Sequence, residues 1–217
     1  MKHKVALLIL LFVLLLLNTT AGATIYKLNH PKQVALTFDD GPYPVFTEKV
    51  LDILKAENVK ATFFVVGKRI EENPQILARI SQEGHQIGNH TYNHTKITWI
   101  NEQKLLLELT KTNALIKELT GQECYLFRPP YGTINKAKIK TLEKAGYKII
   151  LWSVNADDYY HLKTGIRKSN SIIKRIISKT KGDDIILMHD KSKETVAALP
   201  RIITRLKKQG YKFVVLN

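Results

Sequence analysis

The stretch VALTFDDGPYP, residues 34–44, joins an apolar segment directly to two adjacent carboxylates. Its first five residues are apolar or β-branched, the composition of a strand in the core of a sheet. Asp39 and Asp40 follow at once, and burying a carboxylate is costly unless a cation or a hydrogen-bond donor compensates it. Gly41 and Pro42 then favour a turn. This order predicts a buried strand whose end carries a functional site with a cationic partner.

The rest of the chain alternates apolar runs of this kind with helical patterns. Seven strands separated by six helices are typical of a parallel α/β sheet, either open or closed into a barrel. Several helical patterns end at a glycine, which favours the position just after a helix. The predicted strands span residues 34–39, 61–67, 85–90, 126–130, 147–154, 184–189 and 211–216. The predicted helices span residues 45–58, 74–83, 101–120, 135–145, 170–180 and 193–209.

Titratable side chains lie in or follow five of the predicted strands. In parallel α/β folds the active site gathers at the carboxyl ends of the strands, so these side chains are expected to lie near one another. In chain order they are Asp39, Asp40, His90, Arg128, Asp157, Asp158 and His189. The sequence therefore predicts a functional site at this edge of the sheet.

His90 and His94 lie four residues apart in the segment HTYNH, and on a helical turn this spacing projects both imidazoles to one side. Alone, the spacing is common among ordinary histidines, but the aspartate pair predicted at the same edge supplies a third ligand. Two histidines and one carboxylate bind divalent first-row metals and leave coordination positions open. We expect Asp40, His90 and His94 to bind zinc, with cobalt or another first-row ion as the alternative. Asp39 would then be free to accept a proton from a metal-activated water.

The first 23 residues form a separate segment. Two lysines precede an apolar run over residues 5–17, and small residues follow it up to Ala23, which is the order of a secretory signal peptide. The run is shorter than the about 20 residues that a membrane-spanning helix needs. We expect residues 1–23 to be a cleaved signal peptide, with a retained membrane anchor as the alternative. Residues 24–217 would then form a single domain, secreted or attached to the cell wall.

The chain is strongly basic, with 34 lysine and arginine residues, 19 acidic residues and a net charge of +15. In an exported protein such a surface favours anionic cell-wall polymers or the membrane surface, although a basic surface without any partner is the alternative. The sequence contains no arginine-rich tract and no nucleic-acid-binding motif, so a nucleic-acid partner is not expected. Because Cys124 is the single cysteine, no internal disulfide can form. We expect a monomer.

Five segments of the chain resemble, in order, the five motifs of the polysaccharide deacetylases, carbohydrate esterase family 4, also called the NodB homology domain. The segments are TFDDG (37–41), HTYNH (90–94), RPPYG (128–132), WSVNADDY (152–159) and ILMHD (186–190). The match extends over essentially all of residues 24–217. The resemblance implies a distorted (β/α) barrel of about seven parallel strands, which removes N-acetyl groups from amino-sugar polymers such as peptidoglycan or chitin.

The resemblance also implies a role for the titratable residues. Asp39 would be the catalytic base, and His189 would be the general acid that protonates the leaving amine. Arg128 would orient Asp39, since a guanidinium beside it favours the ionised carboxylate. Asp158 would steady Arg128, and Asp40 would be one of the metal ligands.

Further residues of the same motifs are expected to contact the substrate. Leu187 would line the pocket for the acetyl methyl group. The backbone N–H of Tyr131 would stabilise the oxyanion, in a turn that Pro130 stiffens. Tyr159 stands where the family has a tryptophan in the wall of the acetyl pocket, and Trp152 is expected either in the groove or in the core.

The fourth motif departs from the family pattern at two positions. Asn155 replaces an aspartate, and Tyr159 replaces the tryptophan, so we expect activity with an altered substrate preference. Tyr131 favours N-acetylglucosamine over N-acetylmuramic acid, because the enzymes specific for muramic acid tend to carry arginine at this position. Two other functions stay open: acetyl-ester hydrolysis on a xylan-type glycan, and glycan binding without catalysis.

Overall fold

The computed structural model describes residues 24–160 and 169–217, so the predicted signal peptide lies outside the described residues. The strands are β1 (Gln33–Asp39), β2 (Thr62–Val65), β3 (Gln86–Asn89), β4 (Leu126–Phe127), β5 (Lys148–Ile149), β6 (Val154–Asn155), β7 (Asp184–His189) and β8 (Lys212–Phe213). The helices are α1 (Phe46–Ala56), α2 (Gly67–Glu72), α3 (Pro74–Gln82), α4 (Glu102–Thr120), α5 (Lys136–Lys144), α6 (Ser169–Lys179) and α7 (Lys193–Lys208). Short 3-10 turns lie at Ile97–Trp99, Pro130–Gly132 and Asp158–Tyr160.

All the strand pairs of the sheet are parallel, and seven strands follow one another in the order β5-β4-β3-β2-β1-β7-β6. The eighth strand, β8, pairs with β1. Between the outer strands, the backbone of Ile25 donates to the carbonyl of Ile149 at 2.8 Å and accepts from Leu151 at 2.7 Å. The predicted distorted (β/α) barrel is confirmed, with the segment around Ile25 lying beside its open edge.

The apolar run 147–154 was predicted to be one strand, but the structure divides it into β5 and β6. Between them, the carbonyl oxygen of Ile150 accepts from Arg128 Nε at 3.3 Å, and that of Leu151 accepts from Arg128 Nη2 at 3.0 Å. The run therefore bends around a buried guanidinium instead of continuing as a strand. The short helix α2 is also an addition to the six predicted helices.

The two faces of β1 have different surroundings, because successive side chains of a strand point to opposite sides. Val34, Leu36 and Phe38 belong to the main apolar core, which includes residues of α1 and α7. Ala35 belongs to a second cluster, and Thr37 and Asp39 continue the same face. The strand therefore carries Asp39 to the end of the barrel interior. Among the described helices, none has the length and apolar character required to cross a membrane.

Candidate active site

Asp39 and Arg128 form a buried ion pair at the end of β1. Arg128 Nη1 donates to Asp39 Oδ1 at 2.6 Å and to the Thr37 hydroxyl at 2.8 Å. The Arg128 side chain is fully buried and Asp39 is 3% exposed. The Nε and Nη2 groups of Arg128 donate to the backbone carbonyls of Ile150 and Leu151, in the bent run between β5 and β6. The guanidinium is therefore held on several sides and fixes one oxygen of Asp39.

Asp40 turns away from this pair, because its backbone lies in the left-handed region with φ of 77°. Its Oδ1 lies 3.1 Å from His94 Nε2 and 3.5 Å from His90 Nε2. Burial would raise the pKa of Asp40, but the hydrogen bonds of His90 and His94 hold it well below its usual range. The adjacent carboxylates thus have different partners, which explains how a strand can end on two of them.

The three residues Asp40, His90 and His94 fit a divalent metal. One ligand atom from each residue lies within 4.8 Å of the others. His90 Nδ1–H donates to the backbone carbonyl of Arg128 at 2.7 Å, so Nε2 is the ring nitrogen that faces Asp40 and would bind a metal. A second-shell bond of this kind orients histidine ligands in metal sites. The structure therefore brings the three predicted ligands together, with His90 oriented through its other ring nitrogen.

The loop that carries the second histidine is attached to helix α4 by Glu108. Its Oε2 accepts from the backbone N–H groups of Tyr92 at 3.1 Å and Asn93 at 2.8 Å. Its Oε1 accepts from the Asn93 side chain at 2.8 Å. Thr91 and His94 both have positive φ, at 66° and 55°, so the loop adopts a conformation that side chains disfavour. Glu108 compensates the loop donors and stabilises this conformation.

Sequence reasoning missed Glu108, although the sequence contains a signal for it. The residue lies between Leu105 and Thr112 on the buried face of α4, where a carboxylate interrupts an otherwise apolar stripe. A charged residue on such a stripe requires a partner, and the adjacent histidine motif was available to supply one.

His189, the last residue of β7, forms a second buried ion pair with Asp158. Asp158 Oδ1 accepts from His189 Nδ1–H at 2.7 Å, and Oδ2 accepts from the His189 backbone at 2.7 Å and the Thr195 hydroxyl at 2.8 Å. Burial alone would lower the pKa of His189, but the Asp158 carboxylate raises it above its ordinary value. The prediction that Asp158 steadies Arg128 is wrong, because the oxygens of Asp158 are used by His189 and Thr195.

A cavity of about 770 Å³ lies over both ion pairs. Leu187, Trp152 and Tyr159 line it. The Tyr159 ring packs edge-on against His189, with the ring centroids 5.8 Å apart. Trp152 was expected either in the groove or in the core, and it contacts both. It lines the cavity and, partly buried, also packs against the apolar cluster that contains Ala35.

The turn after β4 adds Tyr131 to the cavity wall. Tyr131 has φ of 63°, its side chain is 63% exposed, and its ring lies edge-on to His94 at 4.9 Å. The next residue, Gly132, also has positive φ, and a Cβ there would lie 2.4 Å from the Trp152 ring. Pro130 is buried and is not part of the cavity wall, so the structure does not place it where the predicted substrate contact requires.

The remaining wall of the cavity carries three positive side chains that sequence reasoning did not identify, together with the carboxylate of Glu72. Lys191 Nζ contacts Asp40 Oδ2, the oxygen that faces away from the histidines. Lys68 and Arg69 line the cavity beside Tyr43, at the start of α2. We call Lys68 and Arg69 the cationic wall. No strand alternation or motif in the sequence indicated that these side chains would reach the cavity.

Comparison with known proteins places the chain in a family. The sequence profile of the family described as polysaccharide deacetylase matches residues 27–150. The peptidoglycan-N-acetylglucosamine deacetylase of Bacillus cereus is 40% identical over 192 residues, which cover 87% of this chain and 88% of that protein. The peptidoglycan-N-acetylglucosamine deacetylase PgdA of Listeria monocytogenes is 40% identical over 186 residues, which cover 86% of this chain and 38% of that longer protein.

A solved structure is similar over nearly the whole chain. The Bc1960 peptidoglycan N-acetylglucosamine deacetylase superimposes with a TM-score of 0.85 at 36% sequence identity, covering 90% of this chain and 91% of that chain. The resemblance of the five sequence motifs is therefore confirmed independently by the profile and by the fold. This chain belongs to the polysaccharide deacetylases, carbohydrate esterase family 4.

Proposed function

We propose that this protein is a metal-dependent hydrolase that removes N-acetyl groups from amino-sugar polymers, with the N-acetylglucosamine of peptidoglycan as the favoured substrate. One observation carries the proposal: a three-residue metal-ligand set and one member of each of two buried ion pairs line the same cavity. The names of the relatives support the substrate class. A divalent cation bound by Asp40, His90 and His94, with zinc favoured, supplies Lewis acidity toward the acetyl carbonyl and acidifies water.

The two ion pairs divide the proton transfers between them. Asp39 accepts a proton from the attacking water, while Arg128 holds the carboxylate in place. His189 is kept protonated by Asp158 and donates its proton to the sugar nitrogen as the carbon–nitrogen bond breaks. The products are acetate and a free amine. Asp39 gains one proton from water and His189 loses one to the amine, so the pair returns to its starting state when Asp39 releases a proton to solvent and His189 takes one up.

The apolar part of the cavity is suited to the acetyl methyl group. Leu187 is 3% exposed and lies in register beside Asn155 on the neighbouring strand. Trp152 and Tyr159 complete an aromatic wall near His189. The backbone N–H of Tyr131 is assigned to the oxyanion formed at the acetyl carbonyl.

The protein is proposed to act outside the cytoplasm, in the cell wall or as a secreted enzyme. Residues 1–23 are assigned to a signal peptide or a membrane anchor, and residues 24–217 to the catalytic domain. The net charge of +15 supports additional contacts with anionic cell-wall polymers. Mass spectrometry of the protein recovered from culture medium and from membranes distinguishes a cleaved N-terminus from a retained one.

Acetate release tests the proposed function. The metal-free protein, the zinc-loaded protein and zinc-loaded Asp39→Asn are each incubated with peptidoglycan, N-acetylglucosamine oligomers and acetylated xylan. Acetate from the first two substrates that requires both zinc and Asp39 supports N-deacetylation. Acetate from xylan alone would assign ester hydrolysis instead. No acetate from any substrate, with zinc still bound, would favour glycan binding without catalysis.

A further inference from the structure

The cationic wall is attached rigidly to the proposed metal site. The backbone N–H of Gly67 donates to the carbonyl of Thr91 at 3.0 Å, and that of Lys68 donates to the carbonyl of Tyr92 at 3.0 Å. Both acceptors belong to the loop between the two histidine ligands. The first residues of α2 therefore keep a constant position relative to the reacting centre, as a substrate-binding subsite requires.

The charges of the cationic wall are weakly compensated. Arg69 Nη1 lies 2.9 Å from Glu72 Oε2, but the two side chains are 41% and 43% exposed. A solvent-exposed pair of this kind contributes little and is readily exchanged for another partner. Arg69 also stacks over the Tyr43 ring at 4.7 Å, which fixes the plane of its guanidinium. Lys68 is exposed, and no carboxylate of the described residues forms a salt bridge with it.

The cationic wall and the proposed acetyl pocket line the same cavity but come from different strands. Strand β2, which leads into Lys68 and Arg69, lies between the two strands that carry the metal ligands, β1 and β3. Leu187 and Tyr159 come from β7 and the turn after β6, and β1 separates these strands from β2 in the strand order. A glycan with its acetyl group in the apolar pocket therefore has the cationic wall within the same cavity.

We propose that Lys68 and Arg69 form an anion-binding subsite for a carboxylate on the glycan unit adjacent to the reacting sugar. The inference rests on the proposed deacetylase function and narrows its substrate. In peptidoglycan, N-acetylglucosamine alternates with N-acetylmuramic acid, whose lactyl group bears a carboxyl or a peptide with free carboxylates. Chitin has no such group. A planar guanidinium and an exposed ammonium match carboxylates well, so the subsite selects peptidoglycan over a neutral polymer.

Calorimetric binding to the zinc-loaded full-length protein tests the subsite. The ligands are a soluble peptidoglycan fragment with free carboxylates, the same fragment with its carboxylates capped as amides, and an N-acetylglucosamine oligomer. We expect the free-carboxylate fragment to bind about tenfold more tightly than the capped one. In the double variant Lys68→Ala/Arg69→Ala, the two fragments should bind with equal affinity. In the unmodified protein, high salt should reduce the ratio of the two affinities.

The control variant, Lys140→Ala/Lys144→Ala, removes two positive charges from the exposed surface of α5 and retains the difference. Equal affinity for the free and capped fragments in the unmodified protein overturns the proposal, and this comparison requires no variant to fold. Acetate release is measured in parallel. Carboxylate-dependent binding without acetate would contradict the deacetylase function and leave the subsite intact. Acetate release without carboxylate dependence would overturn the subsite alone.

Discussion

The two buried ion pairs of the cavity are similar in geometry but contain different cations. Arg128 donates to Asp39 at 2.6 Å, and His189 donates to Asp158 at 2.7 Å. Both carboxylates are almost fully buried, at 3% and 2% exposure. An arginine stays protonated at all physiological pH values, whereas a histidine gains and loses its proton near neutrality. The first pair can therefore only hold its carboxylate, while the second can deliver a proton.

This difference assigns the base and the acid on physical grounds. In the first pair the mobile proton can be carried only by Asp39, so this side accepts protons. In the second pair the mobile proton belongs to His189, and Asp158 favours the protonated ring, so this side donates. The family resemblance implies the same two roles, and the contacts of Asp158 now explain how the second role is maintained.

The largest expected effect is that of Asp39→Asn, which leaves the Asp39–Arg128 pair without a group that can accept a proton. The amide keeps a hydrogen-bond acceptor for Arg128, but it cannot take a proton, so kcat should fall by about a thousandfold. Acetate release and bound zinc are measured together, with the thermal unfolding midpoint as the control for folding. Retained zinc with activity within tenfold of the unmodified enzyme would contradict the role of Asp39.

A smaller effect is expected from Asp158→Asn, which breaks the second pair. A general acid works only when protonated, so activity falls as the pH rises through the pKa of His189. Since Asp158 raises that pKa, the activity of the variant should begin to fall at a lower pH than that of the unmodified enzyme. On the alkaline side of the profile, the kcat of the variant should be about a hundredfold lower. The control Asp157→Asn alters the adjacent carboxylate, which pairs with Arg175, and should leave the pH profile unchanged.

Glu108→Ala tests the loop that carries the histidine ligands, while both ion pairs stay intact. Loss of the three hydrogen bonds to this loop should weaken zinc binding about 10- to 100-fold, and excess zinc should restore activity. Zinc affinity is measured by competition with a chelator, and Glu108→Gln should recover part of it. Glu118→Ala, at an exposed position of the same helix, is the matched control. Unchanged zinc affinity in Glu108→Ala would show that the loop is stable without this contact.

The smallest effect is expected from Tyr159→Trp, which restores the aromatic residue of the family pattern. The wall of the acetyl pocket stays aromatic, so kcat/KM ratios between peptidoglycan and chitin oligomers should change by less than about tenfold. The pH profile should not move, because the His189–Asp158 pair is untouched. A displaced profile would indicate that Tyr159 contributes to proton transfer.

The sequence indicated the titratable residues that the structure brings together at the cavity, but not all of their partners. Strand alternation and the motifs brought Asp39, His90 and Arg128 to one edge of the sheet, because parallel strands end together. The partner of Asp158 depends on β6 lying beside β7, and alternation does not determine that order. The hydrogen-bond partner of a side chain at the end of one strand cannot be predicted until the neighbouring strands in the sheet are known.

The cationic residues of the cavity were not predicted from the sequence for a second physical reason. Lys68, Arg69 and Lys191 belong to segments that the sequence pattern describes only as polar, and their approach to the cavity depends on how loops fold over the strand ends. The division of the run 147–154 has the same origin. Its carbonyls are bound by Arg128, whose long side chain reaches them only in the folded barrel.

The most direct test of the account is an NMR titration of the His189 ring in the zinc-loaded protein, compared with Asp158→Asn. The account predicts that the pKa of His189 is lower in the variant, because the carboxylate that favours the protonated ring has been removed. An equal pKa in both proteins would contradict it, since Asp158 would then not keep His189 charged, and the assignment of the acid would lose its physical basis.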